Sequence, residues 1–331
     1  MSGPLLEVAG LRKDFVSAGR FGRGARSRVA AVSDVSFAVD AGETLALVGE
    51  SGSGKTTAVR MVLRLIEPDG GTIRFDGVDW LSLPIGELNR QRRKVGVVFQ
   101  DPATSLDPRM NVEQIVTEPL VIHRVGDRKE RRRRAVALLS AVGIPESALE
   151  RRPVEFSGGQ RQRIAIARAL STAPKLLVLD EPISALDVSV RAQVLNLLAD
   201  LSESSTPRPA TLFVGHDLSV VAHVAHRTAV MYLGRIVEEG PTGELFRTPR
   251  HPYTALLLAS QPRRSPSERR PPEGASVAGE PASAASIPPG CAFHPRCPVA
   301  TARCREEVPP ETGSLAAGGG PRRFACFQPL S

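Results

Sequence analysis

The sequence predicts an α/β protein with a parallel-rich sheet covered by helices. Two observations predict it. Short β-branched apolar runs alternate with helical patterns along most of the chain. Several of these runs end in residues suited to phosphate or metal chemistry, at the strand ends where open α/β sheets bind ligands. The chain has 331 residues and is 41% hydrophobic, enough for one large core or two modest ones. Aromatics make up only 4%, so Val, Leu, Ile and Ala fill the core.

In chain order, Leu6 to Ala9 and Val35 to Val39 read as two early strands around a Gly/Arg-rich loop, residues 18 to 28. Thr44 to Val48 reads as a buried strand, followed by a helical pattern through Ala58, Val59, Met61, Val62 and Leu65. Val95 to Phe99, Leu176 to Leu179 and Thr211 to Val214 are the next strands. The basic run Arg131 to Arg134 reads as the solvated face of a helix, because Val136, Leu138, Leu139 and Val142 follow at helical spacing. Residues 1–255 therefore form one α/β body, with a helical portion at about 101–155. From Gln261 the composition turns to Pro, Ser, Ala, Arg and Glu, so residues 256–290 read as a linker. Residues 291–331 form a Cys-bearing end segment, and no internal repeat is visible.

The net charge is +8. That suggests an anionic partner: nucleic acid, a membrane surface or nucleotide phosphate. Charge alone does not choose among them. No apolar stretch reaches the roughly 18 residues of a membrane span, and Met1 to Gly10 lacks a secretory pattern. The expectation is a cytosolic chain whose membrane spans, if it serves a membrane, come from another polypeptide.

Gly49, Glu50, Ser51, Gly52, Ser53, Gly54, Lys55 and Thr56 fit GxxxxGK[ST] in full, between a strand and a helix. The glycines let the backbone wrap a phosphate, and the helix start adds partial positive charge. Lys55 is placed for the β- and γ-phosphates and Thr56 for Mg²⁺. The motif says nucleotide hydrolysis without saying which kind. The run Leu176 to Leu179 then ends in Asp180 and Glu181. Asp180 is placed for the Mg²⁺ shell and Glu181 for the attacking water.

A third motif narrows the class. Phe156 is followed by Ser157, Gly158, Gly159 and Gln160, and then by a helical run to Leu170. Ser157 sits where an N-cap would, which makes a second anion-binding helix start. One chain has little use for two such starts around one nucleotide, whereas two chains head to tail would use both.

With these residues in place the sequence resembles the ABC ATPase family over residues 5 to 255. Ser157 to Gln160 matches the family signature, with Phe156 where Leu is commonest. Gln100 matches the Q-loop, Asp187 in Ser184-Ala185-Leu186-Asp187 the D-loop at the dimer interface, and His216 the switch histidine. The resemblance implies a P-loop NTPase fold with a RecA-like core, an antiparallel β subdomain and a helical subdomain. It implies ATP and Mg²⁺ as cofactors, with Thr57 and Phe15 also at the nucleotide and Gln100 at Mg²⁺. Phe15 reads equally as a strand-end core residue. Partners implied are a second ATPase subunit, two membrane permeases and, indirectly, a substrate-binding protein, at the cytoplasmic face of a membrane.

Three segments resemble the oligopeptide/dipeptide importer branch, which also includes nickel importers. They are Ser105 to Arg109 leading to Glu118-Pro119-Leu120, Met231 to Glu238 with His251 to Thr254, and the Cys tail. Val154 and His226 depart from the branch pattern, and neither contacts phosphate. Cys291, Cys297, Cys304 and Cys326 carry no CxxC pair. The resemblance implies a [4Fe–4S] cluster, while zinc and free or paired thiols stay open on the residues alone. His251 and His294 read as structural. A soluble ABC ATPase acting on nucleic acid would suit the charge, yet neither a long coiled-coil insertion nor a second cassette is present. A non-hydrolysing module would not keep Glu181 and His216.

Overall fold

The computed structural model describes residues 3–17, 27–183, 191, 193–197, 208–261, 286–315 and 321–330. The first elements are β1 (Leu6–Ser17), β2 (Ser27–Val39), β3 (Thr44–Val48), α1 (Lys55–Val62), β4 (Gly70–Phe75) and β5 (Val78–Asp79). Next come α2 (Ile85–Arg92), β6 (Val95–Val98), α3 (Pro102–Ser105), α4 (Val112–Ile122), α5 (Arg128–Ala141) and α6 (Gly158–Leu170). Then follow β7 (Leu176–Asp180), β8 (Ala210–Gly215), α7 (Leu218–Val224), β9 (Arg227–Tyr232) and β10 (Arg235–Pro241). The last are α8 (Thr242–Arg247), α9 (Pro252–Ala259), α10 (Ala302–Glu306), β11 (Thr312–Leu315) and β12 (Pro321–Phe324). Among the described residues, no helix is long and apolar enough to cross a membrane.

The chain divides into two compact units, each drawn from separated segments. One takes Met1–Leu5, Val39–Thr44 and Phe75–Val214, the other Leu6–Ala38, Leu45–Arg74 and Gly215–Ser331.

In the first unit β6, β7 and β8 are parallel neighbours, with Val95 opposite Leu176 and Leu176 opposite Ala210. Every residue of β7 and β8 is buried, which is why both read as continuous apolar runs rather than alternating ones. Helices α4 and α5 pack on α6. Asn111 and Gln114 form a reciprocal capping box on α4, and the Asp127 side chain caps α5. The arginine run lies on the solvent side of α5. Arg131 donates to the Val125 carbonyl, Arg132 pairs with Glu113 and Arg134 with Glu130, while Ala135 and Leu139 are buried.

In the second unit β3 runs parallel to β9, and β9, β10, β12 and β11 follow in antiparallel order. Strands β2, β1 and β4 lie side by side in a separate sheet. Strand β1 runs well past the expected Ala9. Its buried positions are Leu6 and Val8, then Leu11, a change of parity at Gly10, where φ is +63°. An irregularity of that kind breaks the period-2 signal that marks a strand in sequence.

Strand β12 brings the end of the chain onto β10, and buried carboxylates hold it there. Glu238 is 0% exposed and accepts from Arg322 at 2.7 Å and from the backbone N–H groups of Arg250 and His251 at 2.8 and 2.9 Å. Glu239 accepts from Arg227 and Arg323 at 2.5 and 2.6 Å. Arg322→Met leaves Glu238 buried with only its two backbone donors. The expected cost is roughly 2 kcal/mol, below the usual loss for a broken buried pair because those donors remain. Chemical denaturation checks it, and an unchanged midpoint would remove the pair from the account of how the tail is held.

Candidate nucleotide site

The glycine-rich loop leaves the fully buried strand β3 and enters α1 at Lys55. Glycine is required at two of its positions for lack of space. A Cβ on Gly49 would lie 2.2 Å from the Met231 carbonyl oxygen, and one on Gly54, where φ is +101°, would lie 2.3 Å from that of Ala31. The Gly234 N–H donates to the Ser53 carbonyl at 2.9 Å and ties the loop down from a further side. Lys55 is 5% exposed, and its ammonium donates to the carbonyls of Gly49 and Glu50 at 2.8 and 2.9 Å and to Ser53 Oγ at 3.1 Å. Ser51 and Gly52 are exposed, and Thr56 and Thr57 sit half-buried in the first turn of α1. That turn carries no acid, so its positive end is left for an external anion. The same unit contains His216, exposed just beyond β8, and Phe15 on β1. Phe15 is 42% exposed, with the Lys13 ammonium 5.9 Å from its ring centre. Asp217, which follows His216, caps α7 by accepting from the N–H groups of Ser219 and Val220.

Glu50 has two contacts that sequence reading missed. Its N–H donates to the Tyr253 hydroxyl at 2.9 Å, and its carboxylate accepts from both terminal nitrogens of Arg296 at 2.8 and 2.9 Å. The partners lie 203 and 246 residues away, beyond any local signal.

In the first unit, the structure brings Gln100 and Glu181 together. Gln100 follows β6, and its Nε2 donates to Glu181 Oε2 at 3.0 Å. Asp180 ends β7 and is 5% exposed, whereas Glu181 turns off the strand with φ +48°. A non-glycine residue there carries strain of about 1–3 kcal/mol, the kind retained at functional sites. A backbone bond from Glu181 N–H to the Val214 carbonyl, 3.0 Å long, holds the turn.

The Ser157 segment behaves as a capped helix start. Ser157 Oγ accepts from Gln160 N–H at 3.3 Å, and Gln160 Oε1 accepts from Ser157 N–H at 3.0 Å. Ser157 and Gln160 are exposed, Gly158 is half-buried and Gly159 is buried. The first turn of α6 again holds no acid. Phe156 is buried beneath the Arg151 guanidinium, 4.5 Å from the ring centre, so its bulk packs rather than faces the helix start. Asp187, with residues 184–186, lies outside the described residues, as do residues 18–26 of the early loop and 262–285 of the expected linker.

The four thiols of the tail are unpaired. The Cys291 N–H donates to the Cys304 carbonyl at 2.8 Å, and a 3-10 turn, His294–Arg296, separates Cys291 from Cys297. Burial pushes the Cys291, Cys297 and Cys326 thiols up, Cys326 to about 11, and the charge of the neighbouring thiols adds to it. Among the described residues, no three His, Cys, Asp or Glu side chains gather to hold a single metal ion. His251 caps α9 by accepting the Tyr253 N–H at 3.1 Å, and burial holds it neutral with a pKa of about 3. The Cys291 carbonyl accepts the His294 N–H at 2.9 Å and lies 3.0 Å from the ring Nδ1.

The chain matches the ABC transporter family model over residues 32–184 and that of the oligopeptide/dipeptide transporter C-terminal region over residues 237–304. It is 46% identical over 325 residues to the dipeptide transport ATP-binding protein DppF of Haemophilus influenzae, covering 98% of this chain and 96% of that protein. It is 44% identical to the DppF of Escherichia coli K12, again covering 98% of this chain and 94% of that one. Among solved structures it is similar to the dimeric post-hydrolysis state of the ATP-binding cassette MJ0796 bound to ADP and Pi. The TM-score there is 0.63 at 28% identity, covering 72% of this chain and 98% of that chain.

Proposed function

Because this chain belongs to the ABC transporter ATP-binding family, within its oligopeptide/dipeptide branch, we propose that it binds and hydrolyses ATP to power peptide import through a membrane transporter. The observation that carries the ATP reading is the loop at residues 49–56. There a backbone cradle that admits only glycine at two points holds a buried ammonium at a helix start. Likeness to dipeptide transport proteins along nearly the whole chain favours peptide over nickel as cargo, and over a soluble nucleic-acid ATPase.

The residues divide the work as follows. The loop N–H groups and Lys55 take the phosphates, with Thr57 beside them. Thr56, Asp180 and Gln100 supply Mg²⁺ ligands, directly or through water. Glu181 orients and deprotonates the attacking water, His216 contacts the γ-phosphate, and Phe15 stacks on adenine. Ser157 to Gln160 present their helix start to the ATP of a second ATPase subunit, the same or a homologous one, with Asp187 at that interface. ATP then binds the closed pair more tightly than the open pair, which is the differential affinity closure requires. The pair docks on two permease subunits at the cytoplasmic face of the membrane, beside the helices of residues 101–155, and serves a substrate-binding protein indirectly. Residues 1–255 form the ATPase portion, 256–290 a linker and 291–331 an end segment.

Cys291, Cys297, Cys304 and Cys326 would hold a [4Fe–4S] cluster, which supplies structural or regulatory redox chemistry when bound. Four free thiols between residues 291 and 326 support it. A lone zinc would need its sulfurs within about 4 Å of each other.

Uptake of labelled dipeptides by cells lacking this chain tests the function. Uptake is expected to stop and to return with the intact gene. Normal peptide uptake with failed nickel uptake would overturn the cargo.

A further inference from the structure

We propose that Arg296 is a positioning residue for ATP, clamping Glu50 so that the Cys-bearing tail forms part of the phosphate loop. The inference rests on the reading of residues 49–56 as the ATP site. It goes further by assigning a role to a residue outside every nucleotide motif.

Glu50 is anchored at three points. Its carbonyl accepts from Lys55 at 2.9 Å, its N–H donates to the Tyr253 hydroxyl at 2.9 Å, and its carboxylate takes both arms of Arg296. The Arg296 side chain is 8% exposed and that of Glu50 29%, so water screens the pair less than an ordinary surface pair. The guanidinium lies 5.8 Å from the Phe293 ring centre and 6.0 Å from that of Tyr232. Phe293 in turn packs against Tyr232, Tyr253 and His251. The aromatic wall fixes the direction of the fork. A planar guanidinium matches a carboxylate at two points, which an ammonium cannot do.

Two consequences follow for a phosphate ligand. The clamp fixes the peptide whose carbonyl helps hold Lys55, so the loop is set before ATP arrives. It also neutralises a carboxylate in the loop itself. Left unpaired, that charge would repel the phosphates, and at short range in a partly desolvated site such repulsion is worth a factor of about ten or more. The clamp is part of the tail's own architecture. Arg296 ends the 3-10 turn whose first N–H is accepted by the Cys291 carbonyl, and Cys297 follows it directly. Any rearrangement of the Cys291–Cys304 stretch therefore moves the group that pairs with Glu50.

The test compares Arg296→Met, Arg296→Lys, Glu50→Gln and the Arg296→Met/Glu50→Gln double variant, each as full chain in the assembled transporter. KM and kcat for ATP are measured, together with direct binding of a fluorescent ATP analogue and melting without nucleotide. Arg296→Met is expected to raise KM about tenfold with a much smaller change in kcat. Arg296→Lys falls between, and the double variant returns KM to within about threefold of wild type, because no unpaired carboxylate remains. Melting without nucleotide shows directly that Arg296→Met folds, and a transition as cooperative as wild type is expected. Wild-type affinity in Arg296→Met overturns the clamp. So does a double variant as weak as Arg296→Met, which would mean that Arg296 only supports the tail. A wild-type chain that binds no ATP analogue would instead overturn the ATP reading itself.

Discussion

Glu181→Gln lowers ATP turnover by about a thousandfold while leaving ATP binding near wild type. The substitution is nearly isosteric. Its amide oxygen can still accept the bond that Gln100 now gives to Glu181 Oε2 at 3.0 Å. The backbone bond from residue 181 to the Val214 carbonyl is untouched. What disappears is a carboxylate able to take a proton from water. The loss should therefore fall on kcat and leave KM for ATP nearly alone. A second readout follows from the two-chain mechanism. With hydrolysis blocked and binding intact, the ATP-bound pair should accumulate and elute as a dimer in size-exclusion chromatography. Turnover at the wild-type rate would remove Glu181 from the role of base, and a large rise in KM would recast it as a binding residue.

Lys55→Ala weakens ATP binding by a hundredfold or more, an estimate of roughly 3 kcal/mol for losing a desolvated charged hydrogen-bond donor to phosphate. Lys55 does two jobs. It offers the charge that phosphate needs, and meanwhile it satisfies the Gly49 and Glu50 carbonyls and Ser53 Oγ. Alanine removes both, so the apo loop is also expected to loosen and the melting temperature to fall slightly. The effect appears in equilibrium binding of ATP as well as in turnover, which separates it from Glu181→Gln. Affinity within threefold of wild type would show that the backbone cradle alone carries the phosphates.

The candidate site was legible in sequence to the degree that its parts are local. The glycine loop reads clearly because two positions in it have no room for a Cβ. The capping role of Ser157 reads clearly because a serine three residues before Gln160 at a helix start has one favoured geometry. The acidic pair reads clearly because a strand buried along its whole length can present carboxylates only at its end. The Gln100–Glu181 contact spans 81 residues, and family resemblance alone put Gln100 at the nucleotide. The length of β1 was hidden by the parity change at Gly10. The docking of β12 was hidden for another reason. Its four residues begin with proline and show no apolar alternation, and what seats them is Arg322 and Arg323 reaching buried carboxylates 84 residues upstream.

The α/β class, the phosphate loop, the acidic strand end and the second helix start can be read from the residues alone. Each of these is dictated by backbone conformation or burial period within about a dozen residues. That the Cys-bearing tail is built into the body carrying the phosphate loop, with Arg296 on Glu50 and Arg322 on Glu238, emerges from the folded chain alone. Ion pairs between residues 246 and 84 positions apart have no periodicity to read. They exist because folding buries Glu238 fully and Glu50 in part, and a carboxylate withdrawn from water needs a cation in proportion to its burial.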